Sequence, residues 1–248
     1  MFHHYNLAGW KLLSILSRFN VGELASKIDH AVLKPWSSLR DLEKAVEEVE
    51  SLNLRCLVTT PTLAKMAREL SDKCVSSVVG FPFGYHTVES KIKELEDVIG
   101  YGVDEVDFVS NYQLIFFNRI DEYINEVKAI AEICRETGTI CKVIIEIGAL
   151  DYEMAEKVVT RIGEEAEPHF IKTSTGYGPR ATFPEDVILI DKTLRKIGKR
   201  DKIGIKAAGG VRTALQAITL ISLGADIIGT STPKNIVDGF RKLCKDIG

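Results

Sequence analysis

Two lysines lie inside apolar segments of the chain, and small residues with glycine follow each of them. Lys172 lies in His169-Phe-Ile-Lys-Thr-Ser-Thr-Gly176, and Lys206 lies in Lys202-Ile-Gly-Ile-Lys-Ala-Ala-Gly-Gly210. Desolvating an ammonium group costs several kcal/mol, so a lysine in a buried strand is paired or functional. Two neighbouring ammonium groups lower each other's pKa, which makes one a neutral nucleophile near pH 7. The pair predicts attack on a carbonyl to form a Schiff base, and the residues alone leave open which lysine attacks.

An aspartate lies within a third apolar segment, Asp104-Glu-Val-Asp-Phe-Val-Ser-Asn111. Because side chains alternate along a strand, Glu105, Asp107, Val109 and Asn111 share one face. A carboxylate does not fit beneath the helices of a barrel, so we predict that Asp107 points inward, with Asn111 above it at the rim. A salt bridge from Asp107 to a buried lysine is the structural alternative. The two interpretations overlap, since two lysines need a counter-charge.

Three loops rich in small residues follow the last three predicted strands: Thr175-Gly176, Gly209-Gly210 and Gly229-Thr-Ser231. Backbone N–H groups in such loops, with a helix N-terminus behind them, form a cradle for an anion. In α/β barrels the loops after the last two strands are a frequent phosphate site. Their position beside the lysine pair predicts a phosphorylated substrate.

The elements that would position these residues alternate regularly. Short β-branched runs are found near residues 27–34, 55–60, 76–81, 105–110, 141–147, 169–174, 202–207 and 225–230. Segments of helical period separate them, and one begins at the capping-box sequence Ser38-x-x-Asp41. Eight strand–helix repeats without a linker predict one (β/α)8 TIM barrel over residues 21–248, with the active site at the carboxyl ends of the strands.

Length and composition agree with a single globular barrel of this size. The chain has 248 residues, 45% hydrophobic and 27% charged, and a net charge of −3 with mixed signs, which gives no indication of nucleic-acid binding. Residues 1–20 predict an additional amphipathic N-terminal helix, without the features of a signal peptide or a membrane span. We expect this extension to pack on the barrel or to form an oligomer contact, making a homodimer or homotetramer the expected assembly.

The cysteines and histidines do not indicate a disulfide framework or a metal centre. The five cysteines are odd in number and lack CxxC spacing, so we predict free thiols in a reducing cytosol and a cytoplasmic protein. The five histidines show no ligand spacing, and His30, beside Asp29 on the first strand, is expected low in the barrel. We therefore predict no metal, and no dinucleotide or P-loop fingerprint indicates a cofactor.

Seven motifs together carry a resemblance to the deoxyribose-phosphate aldolase family. They are Ile28-Asp-His-Ala-Val-Leu-Lys-Pro35, Val79-Gly-Phe-Pro-Phe-Gly84, Gly102-Val-Asp-Glu-Val-Asp107, Lys142-Val-Ile-Ile-Glu146, Phe170-Ile-Lys-Thr-Ser-Thr-Gly176, Ile205-Lys-Ala-Ala-Gly-Gly-Val-Arg-Thr213 and Gly229-Thr-Ser231. They stand in family order and span about residues 27–239. The resemblance implies a class I aldolase that joins or splits acetaldehyde and glyceraldehyde 3-phosphate without a cofactor.

The resemblance also implies roles for individual residues. Lys172 becomes the Schiff-base lysine, Lys206 the cation that lowers its pKa, and Asp107 the general acid/base. The implied phosphate contacts are Gly176, Gly209, Gly210 and Ser231. We add Asn111 and Asp29 as predicted substrate-binding residues.

The sequence departs from the family pattern at two strand positions. Ala31 stands where the family usually has threonine, and Val58-Thr-Thr-Pro61 replaces the usual Cys-Val-Asn-Pro. These departures leave open the alternative that the chain is another Schiff-base aldolase, or a transaldolase, that acts on a different phosphorylated sugar. An inactive phosphosugar-binding protein is the alternative from another class, although Asp107, Lys172 and Lys206 are all present.

Overall fold

Eight parallel strands form a closed barrel in the computed structural model, which describes residues 19–247. The strands are Ile28–Val32 (β1), Cys56–Thr59 (β2), Cys74–Val79 (β3), Glu105–Val109 (β4), Ile140–Ile144 (β5), Phe170–Lys172 (β6), Gly204–Ala208 (β7) and Ile227–Thr230 (β8). Each strand pairs with the next in the chain, and β8 closes the barrel against β1. The predicted (β/α)8 fold is confirmed. The predicted N-terminal helical extension lies outside the described residues.

Helices follow the strands and cover the outside of the barrel. They are Val21–Ala25 (α1), Leu39–Ser51 (α2), Pro61–Leu70 (α3), Val88–Gly100 (α4), Gln113–Phe116 (α5), Ile120–Thr137 (α6), Tyr152–Arg161 (α7), Pro184–Lys196 (α8), Ala214–Ser222 (α9) and Pro233–Ile247 (α10). A short 3-10 helix, Ile147–Ala149, follows β5, and a π-helical turn, Ile162–Ala166, extends α7. No helix within residues 19–247 combines the length and the apolar character that crossing a membrane requires.

The start of α2 shows how local sequence sets an element boundary. The Ser38 side chain accepts a bond from the Asp41 N–H, and the Asp41 carboxylate accepts one from the Ser38 N–H at 2.8 Å. These bonds satisfy backbone donors that the first helical turn leaves free. The predicted capping box is therefore confirmed.

The apolar core lies between the strands and the helices. On β4, Val106 and Phe108 are fully buried members of this core. Glu105 and Asp107 alternate with them and face the barrel interior, because a strand directs successive side chains to opposite sides. The helix-facing side is therefore apolar, and the interior holds charged groups.

The prediction that all five cysteines are free thiols is wrong for two of them. Cys56 and Cys74 form a disulfide, with their Cα atoms 4.6 Å apart. They are the first residues of β2 and β3 and are direct partners in the parallel register, so the pairing brings them within bonding reach. Among the described residues, Cys134, Cys141 and Cys244 are free. The cysteines therefore do not support the inference of a reducing compartment.

Candidate active site

The two lysines singled out in the sequence lie side by side in the sheet. Lys172 is the last residue of β6, and its direct partner across the parallel ladder is Lys206 of β7. Direct partners on neighbouring strands point to the same face. Both side chains are buried, with relative exposures of 3% and 1%.

Asp107 of β4 joins the two lysines inside the barrel. Its Oδ2 atom accepts hydrogen bonds from Lys172 Nζ at 2.7 Å and from Lys206 Nζ at 2.6 Å. Because β4 is not a neighbour of β6 or β7, these contacts cross the interior of the barrel. Asp107 is completely buried and points inward, as predicted from strand alternation.

A third buried lysine, Lys142 of β5, completes the surroundings of Asp107. Its Nζ atom lies 2.7 Å from Asp107 Oδ1 and 2.7 Å from Glu105 Oε2. Ser76 donates to the same Asp107 oxygen at 3.2 Å. No role was predicted for Lys142, although a lysine within the apolar run Ile140–Ile144 is the same signal that identified Lys172 and Lys206.

An arginine ties two further carboxylates into the cluster. Arg55, which precedes β2, bonds to both oxygens of Asp29 at 2.6 Å and 3.0 Å, and also to both oxygens of Glu105. Asp29 Oδ2 lies 2.6 Å from Lys206 Nζ. Asp29, predicted as a substrate contact, is completely buried here and pairs with Lys206.

The cluster carries one more cation than anions. Among the described residues, four cationic side chains (Arg55, Lys142, Lys172 and Lys206) meet three carboxylates (Asp29, Glu105 and Asp107). Buried charge without compensation is costly, so releasing a proton from one lysine removes the excess. The arrangement favours one neutral amine.

The pKa values indicate that the neutral amine is Lys172. Burial is the main cause that lowers the Lys172 pKa to about 8; Asp107 opposes this shift, and the neighbouring Lys206 adds to it. A lysine with that pKa is roughly a tenth neutral at pH 7, against roughly 0.04% for an ordinary lysine. Burial would raise the pKa of Asp107, but the three lysines outweigh it and hold that pKa well below the usual range. Asp107 is therefore a carboxylate at neutral pH.

A cavity of about 550 Å³ opens above the lysines at the carboxyl ends of the strands. Its lining includes Lys172, Lys206 and the four predicted phosphate contacts Gly176, Gly209, Gly210 and Ser231. Within residues 19–247, no acceptor bonds to the backbone N–H of any of these four residues. The four predicted phosphate contacts therefore line the cavity and keep backbone N–H groups without an acceptor in the described part of the chain.

Glycine is required in this cradle by both conformation and space. Gly176, Gly209 and Gly210 have φ values of +88°, +95° and +81°, in a region that side chains disfavour. A Cβ atom on Gly210 would lie only 2.6 Å from the Ala181 Cβ atom. The loops after β6 and β7 thus approach each other through glycine.

Two residues from the sequence analysis lie outside the centre of this site. Asn111 follows β4 but does not belong to the cavity lining, and its Oδ1 atom is buried without a hydrogen-bond partner in the described part of the chain. The expectation that His30 lies low inside the barrel is wrong. Because Asp29 faces inward, His30 faces the helices: its Nδ1 atom lies 3.6 Å from Glu48 of α2, and it lines the part of the cavity next to that helix. Burial lowers the His30 pKa to about 4, so it is neutral.

One cluster of potential metal ligands occurs in the described ranges, namely Cys56, Cys74 and Glu105. The two sulfur atoms are bonded to each other, and the Glu105 carboxylate is paired with Arg55 and Lys142. These groups are already occupied by one another and do not fit a metal site.

Comparison with known proteins decides the family. Residues 23–219 match the profile described as DeoC/LacD family aldolase. The chain belongs to the DeoC/LacD aldolase family. It is 35% identical over 236 residues to a deoxyribose-phosphate aldolase of Bacteroides thetaiotaomicron, covering 94% of this chain and 97% of the relative. It is 39% identical over 220 residues to that of Treponema denticola, covering 88% and 99%.

A solved structure of the family has the same fold. Deoxyribose phosphate aldolase from Aeropyrum pernix, described as a unique tetrameric structure, superposes with a TM-score of 0.83 at 30% identity, covering 94% of this chain and 97% of that one. The sequence resemblance to the DeoC aldolases is therefore confirmed, and it covers the barrel that carries the lysine cluster.

Proposed function

We propose that this DeoC/LacD aldolase cleaves 2-deoxyribose 5-phosphate reversibly to glyceraldehyde 3-phosphate and acetaldehyde, with Lys172 as the Schiff-base residue. The observation that carries the proposal is the juxtaposition of two features in one cavity. The first is the buried Lys172 amine with its pKa lowered to about 8. The second is the cradle of free backbone N–H groups formed by Gly176, Gly209, Gly210 and Ser231. An aldehyde and a phosphate on one small sugar match these two features.

The chemistry begins with attack by the neutral Lys172 amine on the C1 carbonyl of the open-chain sugar. The carbinolamine loses water to give an iminium ion at C1, which draws electrons from the C2–C3 bond. Cleavage of that bond, with loss of the C3 hydroxyl proton to a base, makes C3 an aldehyde and releases glyceraldehyde 3-phosphate. The enamine left on Lys172 is protonated at carbon, and hydrolysis of the resulting iminium releases acetaldehyde. The iminium acts as the electron sink, so we propose that no cofactor takes part.

Asp107 and Lys206 are the proposed proton carriers. Asp107 is ionised and within hydrogen-bond reach of Lys172, so it can accept a proton directly or through a water molecule. Lys206 bonds to two carboxylates, Asp29 and Asp107, and can donate a proton when the carbinolamine hydroxyl departs. We therefore propose for Asp29 a role in orienting Lys206.

The phosphate cradle supplies binding energy away from the bonds that change. Holding the phosphate on the loops after β6, β7 and β8 fixes the distance of C1 from Lys172. Asn111 is not part of the cavity lining, so we propose no direct contact between it and the substrate.

A second candidate is a class I aldolase or transaldolase for another phosphorylated sugar. Ala31 and Val58, which depart from the usual family residues, both line the cavity. They place apolar surface where a substrate would contact the first two strands, and this surface can change which aldehyde is accepted.

A panel of substrates tests the proposal. Purified protein is supplied with 2-deoxyribose 5-phosphate, ribose 5-phosphate and fructose 6-phosphate, and the released aldehydes are measured with coupling enzymes. We expect acetaldehyde and glyceraldehyde 3-phosphate in equal amounts from the first sugar and little product from the others. Cleavage of another phosphosugar in preference would favour the second candidate.

We further propose a homodimer or homotetramer that works in the cytoplasm. The Aeropyrum pernix relative is described as tetrameric, which supports an oligomer. A phosphosugar is a cellular metabolite, which supports the cytoplasm. The Cys56–Cys74 disulfide does not add to this support, because disulfides are rare in cytosolic proteins outside hyperthermophiles.

A further inference from the structure

The motif Lys142-Val-Ile-Ile-Glu146 ends in a buried glutamate that the proposed chemistry does not use. Glu146 follows β5, and its side chain is only 1% exposed. Its backbone has φ 47° and ψ 55°, the left-handed conformation that a residue with a side chain rarely adopts. Backbone strain of this kind persists where the surroundings enforce it, often at functional sites.

The Glu146 carboxylate holds the loop that contains Gly176. Its Oε2 atom accepts the Thr175 N–H at 3.0 Å and the Thr175 hydroxyl at 2.5 Å. Gly178 packs against the other oxygen so closely that a Cβ atom there would lie 2.2 Å from Oε1. The loop after β6 is thus folded around this carboxylate.

These bonds determine which backbone N–H of the loop remains without an acceptor. The Thr175 N–H points to Glu146, and the Tyr177 N–H donates to the Thr175 hydroxyl at 3.0 Å. The N–H of Gly176, between them, has no acceptor within residues 19–247. Glu146 and Thr175 therefore occupy the flanking donors and leave the Gly176 N–H free for a ligand.

Tyr177 fixes the same loop on its outer side. Its hydroxyl donates to the carbonyl oxygen of Leu33, in the loop after β1, at 3.3 Å. Its ring meets the edge of Phe81, in the loop after β3, with centroids 5.5 Å apart. The loop is thus held from below by Glu146 and across the cavity mouth by Tyr177.

We propose that Glu146 is the positioning residue for phosphate recognition, acting through Thr175 to aim the Gly176 N–H into the cavity. This inference rests on the proposed function, in which Gly176 contacts the substrate phosphate. A carboxylate would repel a phosphate that it touched, so direct binding does not explain Glu146. Its charge instead strengthens both bonds to Thr175, because hydrogen bonds to an ionised acceptor are about twice as strong as neutral ones.

The test compares phosphorylated and unphosphorylated sugars. In Glu146→Ala, we expect KM for 2-deoxyribose 5-phosphate to rise about tenfold or more, because a phosphate donor is misaligned. kcat/KM for unphosphorylated 2-deoxyribose should change less than about twofold, since that sugar does not use the cradle. Glu146→Gln, which keeps one acceptor oxygen, should show a smaller effect in the same direction. Inorganic phosphate should inhibit both variants more weakly than it inhibits the wild type.

A matched control is Asp191→Asn, which weakens the bonds that Arg195 and Arg200 donate to Asp191 and leaves the contacts of the loop after β6 in place. This variant should leave unchanged the ratio of kcat/KM for 2-deoxyribose 5-phosphate to kcat/KM for 2-deoxyribose. If Glu146→Ala does not fold, the same comparison of the two sugars is made with Glu146→Gln and Thr175→Val.

If Glu146→Ala lowered kcat/KM equally for both sugars, or kept the wild-type preference for the phosphorylated sugar, the proposed role of Glu146 would be overturned. If the proposed function itself were wrong, the wild-type protein would form no borohydride-trapped adduct on Lys172. That result is distinct from a wrong role for Glu146, which would leave the adduct in place.

Discussion

Replacing Lys206 by leucine removes the cation that shares Asp107 with Lys172. The two Nζ atoms lie 2.7 Å and 2.6 Å from the same Asp107 oxygen, so they are separated by at most about 5 Å. At an effective dielectric constant of about 20, two unit charges at that distance repel by about 3 kcal/mol, or about two pKa units. The substitution also leaves Asp107 to attract Lys172 without competition from Lys206, which acts in the same direction.

We therefore expect Lys206→Leu to raise the Lys172 pKa from about 8 toward the value of an ordinary lysine. The assay follows the rate of borohydride-trapped adduct formation with acetaldehyde between about pH 6 and about pH 10. At pH 7 the rate should fall on the order of a hundredfold, because the neutral fraction of Lys172 falls by that factor. The rate should rise again as the pH is raised but stay below that of the wild type, because Lys206 is also the proposed proton donor to the carbinolamine.

The matched control is Lys91→Met. Lys91 is another fully buried lysine, but it pairs with Glu126 and not with Asp107. This variant loses a buried ion pair and should keep the wild-type pH profile. A Lys206→Leu profile with the wild-type midpoint would refute the reasoning, because it would mean that the two amines do not interact.

Three further predictions concern the cradle, metal independence and the disulfide. Gly210→Ala should raise KM for 2-deoxyribose 5-phosphate severalfold, because Gly210 has a φ of +81° and the new Cβ atom would lie 2.6 Å from the Ala181 Cβ atom. An unchanged KM would mean that this glycine does not contribute to the cradle. EDTA should leave cleavage unchanged, and lost activity that Zn²⁺ restores would contradict the Schiff-base account. Reducing the Cys56–Cys74 bond, which spans 18 residues, should destabilise the fold by about 3 kcal/mol on the chain-entropy estimate and lower Tm. Equal Tm values with and without reductant would contradict this expectation.

The fold could be read from the sequence because its signals are local. Each predicted strand run overlaps an observed strand, and the Ser38–Asp41 capping box marks the start of α2 as expected. The inward direction of Asp107 followed from strand alternation and from the implausibility of a carboxylate beneath the helices.

The remaining features depend on register across strands, which a single sequence does not show. The Cys56–Cys74 bond requires the first residues of β2 and β3 to be paired partners. The network around Arg55 joins residues from several strands, so local spacing cannot reveal it. Lys142 gave a visible signal, a lysine in an apolar strand, but no small-residue loop followed it to mark it as a site residue.

The outward direction of His30 could have been anticipated. Once Asp29 is placed inside the barrel, the next residue on the strand must face the helices, where His30 lies near Glu48. Side-chain alternation along a strand predicts this direction, but only after Asp29 shows which face of β1 is inward.

The central claim is that Lys172 forms a Schiff base, and intact-mass spectrometry after borohydride reduction tests it most directly. Protein is incubated with 2-deoxyribose 5-phosphate or acetaldehyde, reduced and mapped by peptide, with Lys172→Ala as the matched variant. We predict a covalent mass increase on the peptide that contains Lys172 and none in Lys172→Ala, which should also lose cleavage. An adduct on Lys206 instead, or no adduct from folded protein with either compound, would contradict the account.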